Sequence, residues 1–156
     1  MNHHAGMQDA ETQSLNQLAR QATIHCLTGC GIGEVLGLVI ATQLGWHNLP
    51  SIVLAIVLAF AFGYGLTLRP LIGSGMPLGN ALRLAFAADT ISIIVMEIVD
   101  NAIVIAIPGA MDAGITDVLF WASLAVSLVI AAVAAFPVNR WLIARGRGHA
   151  VVHGSH

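Results

Sequence analysis

Four long, unbroken apolar segments constrain the fold of this chain more than any other feature. They cover about residues 22–44, 50–68, 79–107 and 118–142. Roughly 20 apolar residues in a helix cross the hydrocarbon of a bilayer. The segments do not alternate as strands do, and strands cross lipid only in closed barrels. The sequence therefore predicts an all-α, integral membrane four-helix bundle.

Charged residues are too scarce for a water-soluble domain. They make up 9% of the chain, against about 25% in a typical soluble domain. The chain has no lysine, and it has six arginines and eight acidic residues. Because nucleic-acid binding needs clustered positive charge, we expect the lipid bilayer, and not a nucleic acid, as a partner.

The arginines predict the orientation of the helices. If the N-terminus is cytoplasmic, all of them fall on the cytoplasmic side: Arg20, Arg69, Arg83, Arg140, Arg145 and Arg147. The loops 45–49 and 109–117 carry none. Since arginines near helix ends favour the cytoplasm, both termini are predicted to be cytoplasmic. A polar N-terminal tail or surface helix (1–21) and a polar, histidine-containing C-terminal tail (145–156) would flank the transmembrane domain (22–144).

The first apolar segment starts with the unusual stretch HCLTGCGIGE, residues 25–34. At about 100° per residue, Cys26, Cys30 and Glu34 share one helix face. Glycines at positions 29, 33 and 37 lie on the same side. Such a ladder of small residues lets another helix approach closely. We therefore expect the thiols and the acid to face protein and not lipid.

The third segment places more acids within the membrane. Asp89, Met96 and Asp100 fall within about 40° on the helical wheel, and Glu97 lies about 80° from Asp89. With Glu34, four acids are then intramembrane. Each costs roughly 2.5–3.5 kcal/mol at a helix centre when charged. We predict that Glu34, Asp89, Glu97 and Asp100 form a cation or proton site, since such acids must be protonated, face water or hold a cation.

The cysteines are candidate metal ligands. Thiolates favour soft or borderline ions such as Cu(I) or Zn(II), while carboxylates favour harder ions. We predict Cys26 and Cys30 as ligands, His25 at the mouth of the site, and Glu34 and Met96 as further candidates. The alternative is that the buried thiols pack as small hydrophobes.

The N-terminus is a separate candidate metal site. Met1-Asn2-His3 with a free amino group offers the square-planar nitrogen set that Cu(II) or Ni(II) prefers, with His4 beside it. A chance histidine in a polar tail is the alternative.

Four motifs together resemble a known family. They are HCLTGCGIGEVLG, AADTISIIVMEIVDN, IPGAMDAGITD and FPVNRWLIARGRGHAVVH, within about residues 20–153. The chain resembles a bacterial and archaeal family of small multi-helix membrane proteins catalogued as a domain of unknown function. This resemblance implies a multi-pass protein of the inner (cytoplasmic) membrane and a link to metal biology, chiefly copper. It implies no catalytic residue.

The sequence thus predicts a membrane protein that binds and translocates, or handles, a transition-metal cation, with copper favoured and proton coupling possible. The alternatives are a proton-coupled small-solute transporter or channel, a membrane thiol redox protein, and a non-transporting accessory subunit. Four helices enclose a pathway poorly, so we expect a homo-oligomer. No nucleophile–base set or nucleotide-binding motif occurs, so we expect neither an enzyme nor an organic cofactor.

Overall fold

The computed structural model describes the backbone of residues 3–153 and the side chains of residues 6–10 and 12–146. Four α-helices follow in order: α1 (His3–Gln43), α2 (Asn48–Gly73), α3 (Leu78–Ala106) and α4 (Val118–His153). A short 3-10 helix, Ala110–Asp112, lies between α3 and α4. Regular structure within the described backbone is entirely helical, which confirms the predicted all-α class.

Three of the helices are long and apolar enough to cross a membrane. They are α1 from Gly6 onward, α2, and α4 as far as Gly146. This indicates a membrane protein. Helix α3 is not among the three, and it carries Asp89, Glu97 and Asp100 in its C-terminal two thirds.

The helices extend beyond the predicted spans. Helix α1 has 41 residues, which at about 1.5 Å per residue exceeds the roughly 30 Å of a bilayer core twofold. Its N-terminal half takes in most of the polar segment 1–21, which is therefore continuous with the first span. Helix α2 continues through Pro70 to Gly73, and α4 continues to His153.

The closest packing in the molecule joins α1 to α2. Gly29, Gly33 and Gly37 face Gly63, Ala59 and Ala55, respectively. A Cβ added at Gly33 would lie 2.3 Å from the backbone nitrogen of Ala59. The glycine ladder therefore does bring a second helix into backbone contact, and that helix is α2.

All four helices meet around the two cysteines. Cys26 and Cys30 of α1 are buried with Ala59 of α2, with Ile93 and Met96 of α3, and with Ala131 and Ala135 of α4. Small residues on α1, α2 and α4 let the helices close on the larger side chains of α3. This packing turns the thiols and the acids of α1 and α3 towards the bundle interior.

Candidate functional site

Three acids lie together in the interior, one on α1 and two on α3. Glu34, Glu97 and Asp100 are 4%, 5% and 2% exposed. Glu34 lies near Asp100, and both lie near Glu97. Glu97 and Asp100 are three residues apart on α3, which is close to one helical turn. They therefore lie on the same face of the helix, and that face points into the bundle. We call Glu34, Glu97 and Asp100 the carboxylate cluster.

The carboxylate cluster has few partners. Asn101 donates from Nδ2 to the Glu97 backbone oxygen at 2.8 Å and, more distantly, to Glu97 Oε2 at 3.5 Å. The Cys30 thiol lies near the Glu97 carboxyl group. Among the described residues, no arginine or histidine acts on Glu34 or Glu97. Glu34 Oε2 and Asp100 Oδ1 are buried without a hydrogen-bond partner. A buried oxygen of this kind is costly unless a proton, water or cation meets it.

The two thiols sit one helical turn from the cluster. Cys26 Sγ and Cys30 Sγ are 3.9 Å apart and both are free thiols. Ser92 lies near Cys26. Met96 is fully buried beside them. Within the part of the chain whose side chains are described, no three His, Cys, Asp or Glu side chains are grouped as a metal site requires. The five candidate ligands therefore do not converge as one set, and the three acids of the carboxylate cluster do not form a three-ligand metal site either.

His25 faces α2 and α3 and is turned away from the thiols. Its Nε2 lies 2.9 Å from Thr67 Oγ1. Asp89 lies near both Thr67 and His25, and its Oδ2 has no hydrogen-bond partner. Asp89 precedes Asp100 by eleven residues on one helix, which is about 16 Å along the axis. The structure therefore places Asp89 and the carboxylate cluster at two separate depths.

A cavity of about 120 Å³ extends from the carboxylate cluster towards one end of the bundle. On α1 its lining runs from Glu34 to the α1–α2 connection at Trp46, and Asp100 contributes from α3. The acids are buried whereas Trp46 is 47% exposed, so the acids form the closed floor and Trp46 marks the mouth. A cavity of this size holds several water molecules, since one needs about 10–15 Å³.

Polar residues that the sequence analysis did not select also line this cavity. Thr42, Ser51, Asn101 and Ser123 come from all four helices. The sequence does contain a signal for them, because a single hydroxyl residue inside an apolar segment costs free energy in lipid unless it has a polar partner.

The side chains of His3 and His4, the predicted tail ligands, lie outside the described residues.

Residues 16–148 match a family model described as a domain of unknown function, DUF4396. This confirms the resemblance noted from the four motifs. No curated protein and no solved structure matches the chain.

Proposed function

The chain belongs to DUF4396, a domain of unknown function, and from its interior we propose that it moves a cation across a membrane in exchange for protons. The cation would bind between Glu34 and Asp100, and Glu97 would act on this pair through its charge. One observation carries this proposal: acids from two helices are buried against each other, with oxygen atoms that have no hydrogen-bond partner.

Competition for the same oxygens supplies the coupling. Like charges close together in a low-dielectric interior cannot all ionise, so the cluster needs a proton or a bound cation. The cavity lining adds no further titratable side chain from α2 or α4. A cation that enters therefore displaces a proton, and a proton that returns releases the cation.

The route to the opposite end would run through Asp89. Ser92 Oγ and Asp89 Oδ2 are further polar atoms without a partner, and both lie on α3 between the cluster and His25. Thr67 and His25 would receive the cation or proton at this end, which we assign to the cytoplasm. Asp89 would therefore affect the rate of passage more than binding at the cluster.

The same proposal gives the membrane arrangement. Helix α3 would be a fourth crossing, since its 29 residues are long enough to span and two of its acids are buried in the bundle. Both termini would be cytoplasmic, and the protein would be a multi-pass component of a bacterial or archaeal inner membrane. A homo-oligomer would surround the pathway more completely than four helices do.

Flux in liposomes tests the function. Purified protein is reconstituted around a pH-sensitive dye, and Na⁺ or K⁺ gradients are imposed between about pH 5.5 and 8, a range that brackets raised carboxyl values. We expect cation-driven proton movement with the wild type. Glu97→Gln and Asp100→Asn should reduce it to the level of empty liposomes.

Asp9→Asn is the matched control, because Asp9 is an exposed acid near the start of α1 and should leave flux unchanged. Wild-type flux in the Glu97→Gln variant would refute the proposal. Absence of flux from wild-type protein would favour the accessory-subunit interpretation instead.

A transition-metal site at the thiols is a second candidate function. Two sulfurs bound tetrahedrally to one ion at about 2.3 Å lie roughly 3.8 Å apart, close to the 3.9 Å between Cys26 Sγ and Cys30 Sγ. Glu97 or Met96 would have to move to supply a third ligand. Copper or zinc content should then fall when both cysteines are replaced by serine. Equal metal content in the reduced wild type and the double variant, under matched loading, would remove this candidate.

A further inference from the structure

The hydroxyl groups that line the cavity donate their hydrogen atoms to the protein backbone and not into the cavity. Thr42, Ser51 and Ser123 donate to backbone oxygens of their own helices, at 2.7, 2.8 and 2.9 Å. A hydroxyl group has one hydrogen to donate and two lone pairs to accept with. Each of these oxygens therefore meets the cavity as an acceptor.

The amide and the acids add further acceptors. Asn101 uses Nδ2 to donate to Glu97, which leaves its carbonyl oxygen for the cavity. Glu34 Oε2 and Asp100 Oδ1 are buried without a partner at the floor. The floor of the cavity thus presents acceptor oxygens, and the hydroxyl groups add further acceptors between the floor and the mouth, which favours a cation over an anion as its ligand.

From these oxygens we propose that the cavity binds a small monovalent hard cation, of the alkali or ammonium class, between Asp100, Glu34 and Ser123, with Thr42 and Ser51 along the path to the mouth. Oxygen ligands select hard ions over soft ones. The single sulfur in the lining, Met111, cannot provide the several soft ligands that Cu(I) prefers. Two neighbouring carboxyl groups in a low-dielectric site disfavour double ionisation, and a single remaining negative charge is matched by a monovalent ion.

This inference names the ion class for the proposed function and rests on it for the role of the floor acids. Its own evidence, however, is the direction of the hydroxyl groups. Binding and flux are separate measurements, so either can fail alone.

Thermal unfolding in nanodiscs gives the binding measurement. NaCl, KCl, NH₄Cl, MgCl₂ and CuCl₂ are titrated at constant ionic strength, with N-methyl-D-glucamine chloride as the replacement salt. A ligand that binds the folded state raises the unfolding temperature as its concentration passes Kd. We expect a saturable rise with at least one monovalent ion, and none with Mg²⁺ or Cu²⁺ at equal concentration.

Ser123 and Ser127 form a matched pair for this test. Both are buried on α4 and donate to the backbone oxygen three residues earlier at 2.9 Å, but of the two only Ser123 lines the cavity. We expect Ser123→Ala to raise the half-saturating ion concentration roughly fivefold, the loss of one contact of about 1 kcal/mol. Ser127→Ala should leave it unchanged.

Three results would overturn the inference. They are no saturable monovalent effect, an equal shift in the two serine variants, and a stronger response to Mg²⁺ or Cu²⁺. If Na⁺- or K⁺-driven proton flux persists alongside any of them, the proposed function stands and the cavity is not where the ion binds. If binding is as expected but Glu97→Gln transports normally, the cavity binds the ion and the coupling is wrong.

Discussion

A buried amide shows how one side chain can tie together helices that are distant in sequence. Asn139 of α4, 4% exposed, donates from Nδ2 to Thr23 Oγ1 of α1 at 2.9 Å. Thr23 in turn donates to the Ala19 backbone oxygen at 2.8 Å. The threonine therefore acts as acceptor and donor at once. Removing the Thr23 hydroxyl group would leave the buried Asn139 amide without its acceptor.

We expect Thr23→Val to lower the free energy of unfolding by about 1–2 kcal/mol, because shape is kept while the acceptor of the Asn139 amide is removed. Circular dichroism during reversible unfolding in mixed SDS micelles measures this. Asn16→Ala is the control at the same end of α1. Asn16 is exposed and accepts from Arg140 Nε at 2.6 Å, so its loss should cost less than about 0.5 kcal/mol. Equal costs for the two variants would contradict this assignment.

At the scale of the elements, the α1–α2 pair depends on glycine. Neighbouring backbones touch at three successive levels of the ladder. Any side chain there must push the helices apart. The other face of α2 is different, since nothing lies within 4 Å of a Cβ added at Gly65.

Gly33→Ala should therefore destabilise the bundle by about 1–3 kcal/mol through overpacking. Gly65→Ala should be neutral, or stabilise by up to about 1 kcal/mol, because alanine is the better helix former. Thermal unfolding of the two variants in the same detergent compares them. A Gly33→Ala protein as stable as the Gly65→Ala protein would mean that α1 and α2 do not pack as described.

The same pair of helices shows what periodicity can and cannot predict. The helical wheel correctly placed the thiols, Glu34 and the glycines on the protein-facing side of α1. It could not divide that side between two neighbours, because a face about 140° wide contacts more than one helix. In the structure the glycines contact α2, while Glu34 contacts Asp100 of α3.

The cavity could not be predicted from the sequence for a related reason. Three different helices contribute Thr42, Ser51 and Ser123 to its lining. Their relative heights depend on helix rotation and on the lengths of the loops. Spacing along one helix carries no information about heights between helices.

For the whole molecule, the two ends of the bundle differ in charge and in access. The α1–α2 connection and the segment after α3 both line the cavity, through Trp46, Asn48, Ala110 and Met111, so they lie at the same end. At the opposite end Arg140 contacts Asn16. Arginines favour the cytoplasmic side. The cavity mouth would then open away from the cytoplasm.

The number of crossings decides between this arrangement and a three-span one. If α3 crosses, the chain passes the bilayer four times and both termini share a side. If only the three most apolar helices cross, the termini lie on opposite sides. Two features favour four crossings. Glu97 and Asp100 are buried within the bundle, and Arg69 and Arg83 flank the α2–α3 connection, whereas no arginine lies in the connections 44–47 and 107–117.

Alkaline phosphatase and green fluorescent protein fusions after His47, Gly75, Gly114 and the C-terminus test this. We expect phosphatase activity only at His47 and Gly114, and fluorescence only at the other two. A C-terminal fusion with phosphatase activity would show that α3 does not cross, and it would remove the membrane depth on which the carboxylate cluster depends.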